Sequence, residues 1–562
     1  MLYEFTFPRM LLREAGPDAR KLLIFGVLSG LFEALIVVCI NTAASHIGEE
    51  GLDIRGLGLL ALCIIGYVYC DRYTLTRCME LVGAIIYDTH VRLVSKIRRA
   101  GLLEFERLER SDVYGVLMEH TEVLVEATRY FGNSYTAAVM LLTSAIYIAS
   151  ISVEAFMIVL VVNAVGLSTF VVLQNQVTRK LRAARELKAS FIGHVNHLLA
   201  GFKEVKVNAA RGDDLFENHI VKRSDGARTL KVEAEVRFCN NYLFVHIVFF
   251  LVVAAVIFLV PRLSGLDQPR IMTIVAAVLF TIGPLGQVVL AAPFFTKAEL
   301  AVRAIGEMEA RLDTMDDMAA TRPDSKVSAG MEFQEIALED VVFSYTEIGG
   351  QRTFLLGPVS FTLRRGELVM LAGGNGCGKS TLLKLLCGLY YPQSGTVRVD
   401  DVVLDPGNYA HYRELFSVIF ADFHVFDRLY GMRGVDEAAV NELLAAMRLS
   451  ERTHYTKGRF TDLDLSTGQR KRMALVQSRL ENRPVCLFDE VAADFDPDFR
   501  RHFYESLLPE LKAQGKTIVA VSHDDRYYHL ADRLLRMEYG RVVAEERRCE
   551  PPHKTPGKGS GA

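Results

Sequence analysis

The stretch Gly373-Gly374-Asn375-Gly376-Cys377-Gly378-Lys379-Ser380-Thr381 carries the densest chemistry in the chain. The apolar run Val369-Met370-Leu371-Ala372 before it reads as a buried strand, and Leu382 to Leu389 after it reads as a helix. A glycine turn between strand and helix lets backbone N–H groups converge on a phosphate, and the helix N-terminus adds positive potential. Lys379 is then placed for the outer phosphates and Ser380 for a magnesium ion. Further on, Leu465-Ser466-Thr467-Gly468-Gln469 precedes the basic helical start Arg470-Lys471-Arg472, a second anion site at a helix N-terminus. One chain has no evident need of two γ-phosphate sites, whereas two chains facing head to tail do.

Two strand ends supply the groups that react. Val485-Cys486-Leu487-Phe488 runs into Asp489 and Glu490, the first suited to magnesium and the second to polarising an attacking water. Thr517 to Ser522 runs into His523, whose imidazole can hydrogen-bond a γ-phosphate and report its loss. Asp494-Phe495-Asp496-Pro497 makes a turn able to cross an interface between two copies. Upstream, Tyr345 ends a strand and is placed either to stack on a nucleobase or to fill the core.

These elements occupy only the second half of the chain. The 562 residues exceed what one core organises, and 50% of them are hydrophobic against 23% charged, with a mean hydropathy of +0.20. The formal charge of −3 gives a nucleic-acid partner no electrostatic support. Nine scattered cysteines fit reduced thiols rather than a secreted disulfide framework.

Six apolar stretches are long enough to span a bilayer: 21–45, 56–76, 134–150, 153–173, 242–260 and 271–295. Pro284 and Pro293 predict a kink in the last. Arg92, Lys96, Arg98, Arg99, Arg107 and Arg110 follow the second span, and Arg179, Lys180, Arg182, Arg185, Lys188, Lys203, Lys206, Lys222 and Arg223 follow the fourth. Glu49, Glu50 and Asp53 follow the first, so the charge bias predicts a cytoplasmic location for both termini and for the two long loops. Those loops read as helical extensions with turns near Glu104–Asp112 and Gly212–Glu217, either docking on a cytoplasmic body or solvated. Inside the spans, Glu33 is read equally as a cavity-lining cargo contact or as a helix partner. Asn163, His246 and Gln287 are cavity candidates for which helix–helix hydrogen bonding is favoured.

The expected organisation is a membrane domain over 1–312, a polar linker over 313–330 containing Pro323, Asp324 and Ser325, an α/β ATPase over 331–548 and a disordered tail over 549–562. The set Gly373–Thr381, Leu465–Gln469, Val485–Glu490, Asp496 and His523 resembles the nucleotide-binding domain of ABC transporters, with its Walker A, signature, Walker B, D-loop and switch-histidine motifs. With six spans ahead of it, the chain up to about Arg548 is similar to an ABC exporter half-transporter, an α-helical membrane domain fused to a P-loop ATPase. Gly201-Phe202-Lys203-Glu204-Val205-Lys206-Val207-Asn208, Phe420 to Phe426 and Asp489 to Pro497 resemble the cyclic-peptide exporter subfamily, whose members include syringomycin and pyoverdine-precursor exporters.

That resemblance implies ATP and Mg2+ as cofactors, a homodimer in the bacterial inner membrane, and a peptide-like cargo moved by alternating access. Lys379, Glu490 and His523 are then catalytic. Tyr345, Gly373, Asn375, Gly376, Cys377, Gly378, Lys379, Ser380 and Thr381 hold nucleotide from one chain, and Ser466, Gly468, Gln469 and Asp496 from the other; Ser380, Asp489 and Asp422 are the metal candidates. Where the family carries a glutamine this chain has Ala421 followed by Asp422, so either Asp422 takes the role or packing of Phe423, His424 and Phe426 does. Lipid or metal–siderophore cargo, and a membrane ATPase that senses without transporting, are the competing readings. Cys377 is expected to be a tolerated loop residue.

Overall fold

The computed structural model describes residue 10 and residues 18–45, 54–108, 110–315, 333–346, 352–432 and 434–547. Most of the expected linker and the whole of the expected tail lie outside them, as do Glu49, Glu50 and Asp53. The chain divides into two compact units, one of residues Met1–Ser95 and Glu109–Arg311, the other of Lys96–Leu108 and Leu312–Ala562.

The first unit is helical: α1 (Asp18–Ser45), α2 (Ile54–Arg99), α3 (Thr121–Ile151), α4 (Val153–Ala200), α5 (Lys222–Phe258), α6 (Gln268–Phe280) and α7 (Ile282–Thr314). Among the described residues six continuous helical stretches are long and apolar enough to cross a membrane. α4 has 48 residues. At ~1.5 Å per residue that is roughly 72 Å, more than twice a hydrocarbon core, so it continues well past the span. Its apolar portion presents Val161, Val165, Leu167 and Val172 outward, as a lipid-facing surface requires. α4 and α5 run antiparallel, joined along their polar lengths by Arg237 to the Gln176 side chain at 2.7 Å and by a Lys180–Glu233 ion pair.

The kink expected from two prolines falls at Thr281, where α6 ends and α7 begins. Pro284 has no N–H to return to the carbonyl four residues earlier, which opens the helix there. The Thr281 hydroxyl donates to the Val278 carbonyl at 2.6 Å, the same carbonyl that takes the Thr281 N–H at 2.9 Å, so this turn is tightened locally. Pro293 stays inside α7.

The turn expected at Gly212–Glu217 does not occur. That stretch is helical, passing from Ala209–Asp214 into a π-turn at Leu215–Val221. The chain reverses instead at Gly201 and Asn208, which flank a short helix Phe202–Val207. Asn208 caps the next helix by accepting the Arg211 N–H at 3.2 Å, a signal stronger than one glycine among helix formers. The tip is apolar and exposed at Phe202, Val207 and Phe216.

The intramembrane polar groups partner otherwise than expected. The Asn163 side chain donates to the Val159 carbonyl of its own helix at 2.9 Å. His246 sits edge-on to Tyr242 one turn away at 4.6 Å, again within one helix, and Gln287 is exposed. The interhelical polar contacts are elsewhere: Asn41 donates to the Thr273 carbonyl at 3.2 Å, and Ser29 to Asp71 at 3.4 Å.

The second unit is built on a six-stranded sheet. Its strands are β3 (Leu368–Gly373), β5 (Phe416–Ile419), β6 (Val485–Asp489), β7 (Thr517–Val521), β8 (Arg533–Glu538) and β9 (Arg541–Arg547), in the order β9-β8-β3-β7-β6-β5. All neighbours are parallel except β8 and β9. A second, antiparallel sheet holds β1 (Glu335–Thr346), β2 (Arg352–Arg364) and β4 (Ser394–Val399). β3, β6 and β7 are buried along almost their whole length, as expected of parallel strands covered on both faces. Helices α8 (Lys379–Leu386) and α9 (Thr467–Glu481) follow the glycine loop and Ser466.

Residues 96–108 belong to this unit rather than to the helical one, inside the stretch assigned from sequence to the membrane domain. Gly101 donates its N–H to the Met315 carbonyl at 2.7 Å and starts a short helix, Leu102–Phe105. Leu102 and Leu103 pack against the cluster that contains Leu385, Val397 and Tyr390.

Candidate functional site

β3 delivers the chain to the cleft, and the glycine loop turns it into α8. At Gly378 φ is +103°, and an added Cβ would come within 2.9 Å of the Phe354 ring, so a side chain is excluded both by conformation and by space. Gly378 also leaves α8 without a side-chain cap. The N–H groups of that first turn therefore stay available to an anion.

Lys379 is 5% exposed and spans its own loop, donating to the carbonyls of Gly373 and Gly374 at 3.1 and 3.0 Å. Its Nζ also lies 3.8 Å from Glu490 Oε1. A cleft of about 390 Å³ opens here, lined by Tyr345, Phe354, Asn375, Gly376, Gly378, Lys379, Ser380, Thr381 and Glu490. Tyr345 and Phe354 are cross-strand neighbours on β1 and β2, with ring centroids 6.3 Å apart. The sequence reading missed Phe354, whose only signal is that register.

β6 ends in the carboxylates. Asp489 is 2% exposed and hydrogen-bonded to Ser380 and to the backbone of Ala421, yet its Oδ1 has no partner among the described residues. Burial is the main cause that raises its pKa above the ordinary 3.8, with Glu490 adding to the effect. A buried carboxylate oxygen without a donor, beside a serine hydroxyl, is a donor set that fits a hard divalent cation. Asp422, the other metal candidate, is exposed, and Ala421 makes the contact to Asp489 through its main chain. Of the three metal candidates, Ser380 and Asp489 are the two that the structure brings together.

Glu490 takes the left-handed conformation, φ +51°, unusual for a side chain of its size and held by Lys471 donating to its carbonyl at 2.8 Å. That backbone turn aims the carboxylate at His523, whose Nε2 lies 2.8 Å from Oε1. Lys379, Ser380, Asp489, Glu490 and His523 are therefore one constellation, with a general-base carboxylate, an imidazole on it and a cation that can draw charge from a phosphate.

The remaining candidates stand apart. Ser466, Gly468 and Gln469 are not among the residues that line the cleft. Ser466 and Gln469 instead close a capping box, Ser466 donating its N–H to Gln469 Oε1 at 2.9 Å and its hydroxyl accepting the Gln469 N–H at 3.3 Å. At Gly468 an added Cβ would lie 2.6 Å from the Asp494 carbonyl oxygen, so this turn packs directly on the turn after β6. Asp496 caps the helix Pro497–His502 through the Phe499 N–H at 2.8 Å and pairs with Arg472 at 2.7 Å. Cys377, expected to be a tolerated loop residue, has its side chain buried in the apolar cluster beneath the loop, leaving only its backbone for a ligand.

Residues 356–493 match the family model described as ABC transporter. The chain is 30% identical to the ATP-binding protein SyrD of Pseudomonas syringae pv. syringae, over 93% of each chain. It is 31% identical to the ATP-dependent lipid A-core flippase of Burkholderia thailandensis, over 40% of this chain and 38% of that one. A solved structure titled as a bacterial Atm1-family ABC exporter with ATP bound superimposes with a TM-score of 0.75 at 17% identity, covering 95% of this chain and 96% of that one.

Proposed function

Since the chain belongs to the ABC transporter family, as an ATP-driven exporter with an integral membrane domain, we propose that it works as a homodimer exporting a cyclic peptide, lipopeptide or peptide-siderophore precursor. The observation that carries the dimer is the separation of Ser466 and Gly468 from the cleft of their own chain. A second copy facing head to tail would bring its Ser466 and Gly468 to a nucleotide held by Lys379 and Ser380. The exposed apolar tip at Phe202, Val207 and Phe216 supports the same reading, because it offers a partner a docking surface.

In this reading Tyr345 and Phe354 stack on the base, and the loop from Gly373 to Thr381 holds the phosphates. Ser380 and Asp489 would hold a Mg2+ ion, which would supply neutralisation of phosphate charge when bound. Glu490 takes the proton of the attacking water, Lys379 steadies the γ-phosphate, and His523 fixes the carboxylate and senses loss of the phosphate. Closure of two such sites draws the long loops together and shifts the membrane helices between inward- and outward-facing states, through the higher affinity of the closed form for ATP. Charge bias supports a cytoplasmic location for both termini and the ATPase, in a protein of the bacterial inner membrane. Glu33 is proposed equally as a cargo contact or a helix partner, and Asn163, His246 and Gln287 are cavity candidates for which a structural role is favoured.

Cargo is tested in lipid nanodiscs and vesicles. ATPase stimulation, with uptake, by cyclic peptides or lipopeptides but not by lipids or iron–siderophores supports the peptide reading. The likeness to a lipid A-core flippase favours lipid as the second cargo, and selective stimulation by lipid would replace the first. No stimulation and no uptake with any class would leave a membrane ATPase that senses. The dimer is tested by mixing chains defective at Lys379 with chains defective at Ser466: one intact composite site should survive, and complete loss of ATP binding counts against the clamp.

A further inference from the structure

Five oxygens and one ammonium link the nucleotide cleft to the segment 96–108. The Tyr390 hydroxyl donates to Glu106 Oε2 at 2.5 Å, and Lys384 donates to Glu106 Oε1 at 2.8 Å. Tyr345 donates to the Tyr390 oxygen at 3.3 Å, and the Thr381 hydroxyl lies 3.3 Å from the Tyr345 oxygen.

A hydroxyl has one proton, so the direction of this chain is fixed. Tyr390 spends its proton on the carboxylate, so toward Tyr345, as toward Lys384 Nζ at 3.2 Å, it can only accept. Tyr345 gives its proton to Tyr390 and can only accept from Thr381. The order is Thr381 to Tyr345 to Tyr390 to Glu106, ending on the charge that makes the last bond the strongest. Burial is the first cause that pushes the Tyr390 phenol far above its usual range, so it stays a donor at any working pH. Its ring is 1% exposed and stacked on Phe343 at 4.9 Å, which leaves it no other position.

The two ends of the chain differ in what they touch. Thr381 and Tyr345 line the cleft. Glu106 lies in the segment that directly continues α2, whose N-terminal half is a candidate membrane span. A phosphate oxygen beside Thr381 competes for its hydroxyl proton, and a base stacked on Tyr345 fixes that ring. Either event alters the bond to Tyr390, because bonds in a series polarise one another.

We propose that Tyr390 and Glu106 are positioning residues that convey occupancy of the nucleotide cleft to residues 96–108. The route is separate from Ala421, whose side chain can make no hydrogen bond. The inference rests on the ATP reading above, and its test separates the two. The full chain in lipid nanodiscs is followed by hydrogen exchange of the peptide covering 96–108, with and without Mg-ATPγS, alongside titration with a fluorescent ATP analogue.

In the parent, nucleotide should change exchange in this peptide by about threefold. Tyr390→Phe and Glu106→Leu should abolish that difference while the analogue's Kd stays within about threefold of the parent. Glu106→Gln, which keeps an acceptor oxygen, should restore part of it. A merely structural Tyr390 would shift exchange equally with and without nucleotide. A parent-like difference in both Tyr390→Phe and Glu106→Leu overturns the relay, as does a parent that binds the analogue without any change in the peptide. A parent that fails to bind the analogue overturns the ATP reading first. Glu106 is half-exposed, so its variants keep the test open even if Tyr390→Phe folds poorly.

Discussion

The two helix N-termini that follow Gly378 and Ser466 start from the same physics and are finished in opposite ways. Each presents backbone N–H groups with no partner inside the helix. At α8 no side chain caps them, and Lys379 bends back over the loop's own carbonyls. At α9 Ser466 and Gln469 satisfy each other's backbone in a capping box. One terminus is left open for a ligand and the other is complete in its own chain. An open terminus binds whatever anion reaches it; a closed one contributes only what a second body brings into contact with its outer face. In the proposed dimer the pair would be two halves of one site, one from each chain.

The strongest way to break this division acts beside the open terminus. Glu490→Gln should lower ATP turnover by about 10²–10⁴-fold while leaving nucleotide affinity near that of the parent. Turnover at the parent rate would remove Glu490 from the reaction.

Gly468→Ala tests the closed terminus. The new methyl group meets the Asp494 carbonyl oxygen at 2.6 Å, so α9 must shift away from the turn after β6. Turnover should fall about tenfold or more through misplacement alone, with binding of the fluorescent analogue to the open terminus unchanged. An equal loss of binding would show that the two termini are not separable.

A smaller effect has the opposite sign for stability and for function. Asp489→Asn removes a carboxylate whose pKa is raised in the folded state. Such a group favours the fold below its ordinary 3.8 and loses that contribution as pH rises through the raised value. The nucleotide-free variant should therefore melt about 2 °C above the parent at neutral pH, with the gap closing in acid, and should lose Mg2+-dependent turnover. Calorimetry across pH checks the first, and a magnesium titration of ATPase the second.

Gln469→Ala is the mildest. It opens half of the capping box, at a cost of about 1 kcal/mol, and should lower the melting temperature by about 2–4 °C. A drop in turnover far beyond the stability loss would mean that Gln469 also touches nucleotide.

The sequence makes the local features legible. Six spans follow from apolar length, and the glycine loop, the acidic strand end of β6 and the histidine after β7 are each contiguous patterns with one physical reading. Features that depend on pairing distant residues are not legible this way. Phe354 joins Tyr345 only through the register of β1 with β2. Tyr390 and Glu106 are separated by 284 residues and meet only after folding. Asn41 finds the Thr273 carbonyl across 232 residues, whereas Asn163 looked equally suited to bridging and bonds within its own helix. The misplaced second turn has a local cause: Gly212 weakens a helix by only about 1 kcal/mol, and the Asn208 cap outweighs it.

The aromatic end of the cleft has one more consequence. Tyr345 and Phe354 offer ring faces, and a stacked purine is recognised by its π-surface whatever groups decorate its edge. A floor of this kind distinguishes poorly between adenine and guanine. If a purine stacks there as proposed, this end of the cleft leaves the choice between purine triphosphates to their relative abundance.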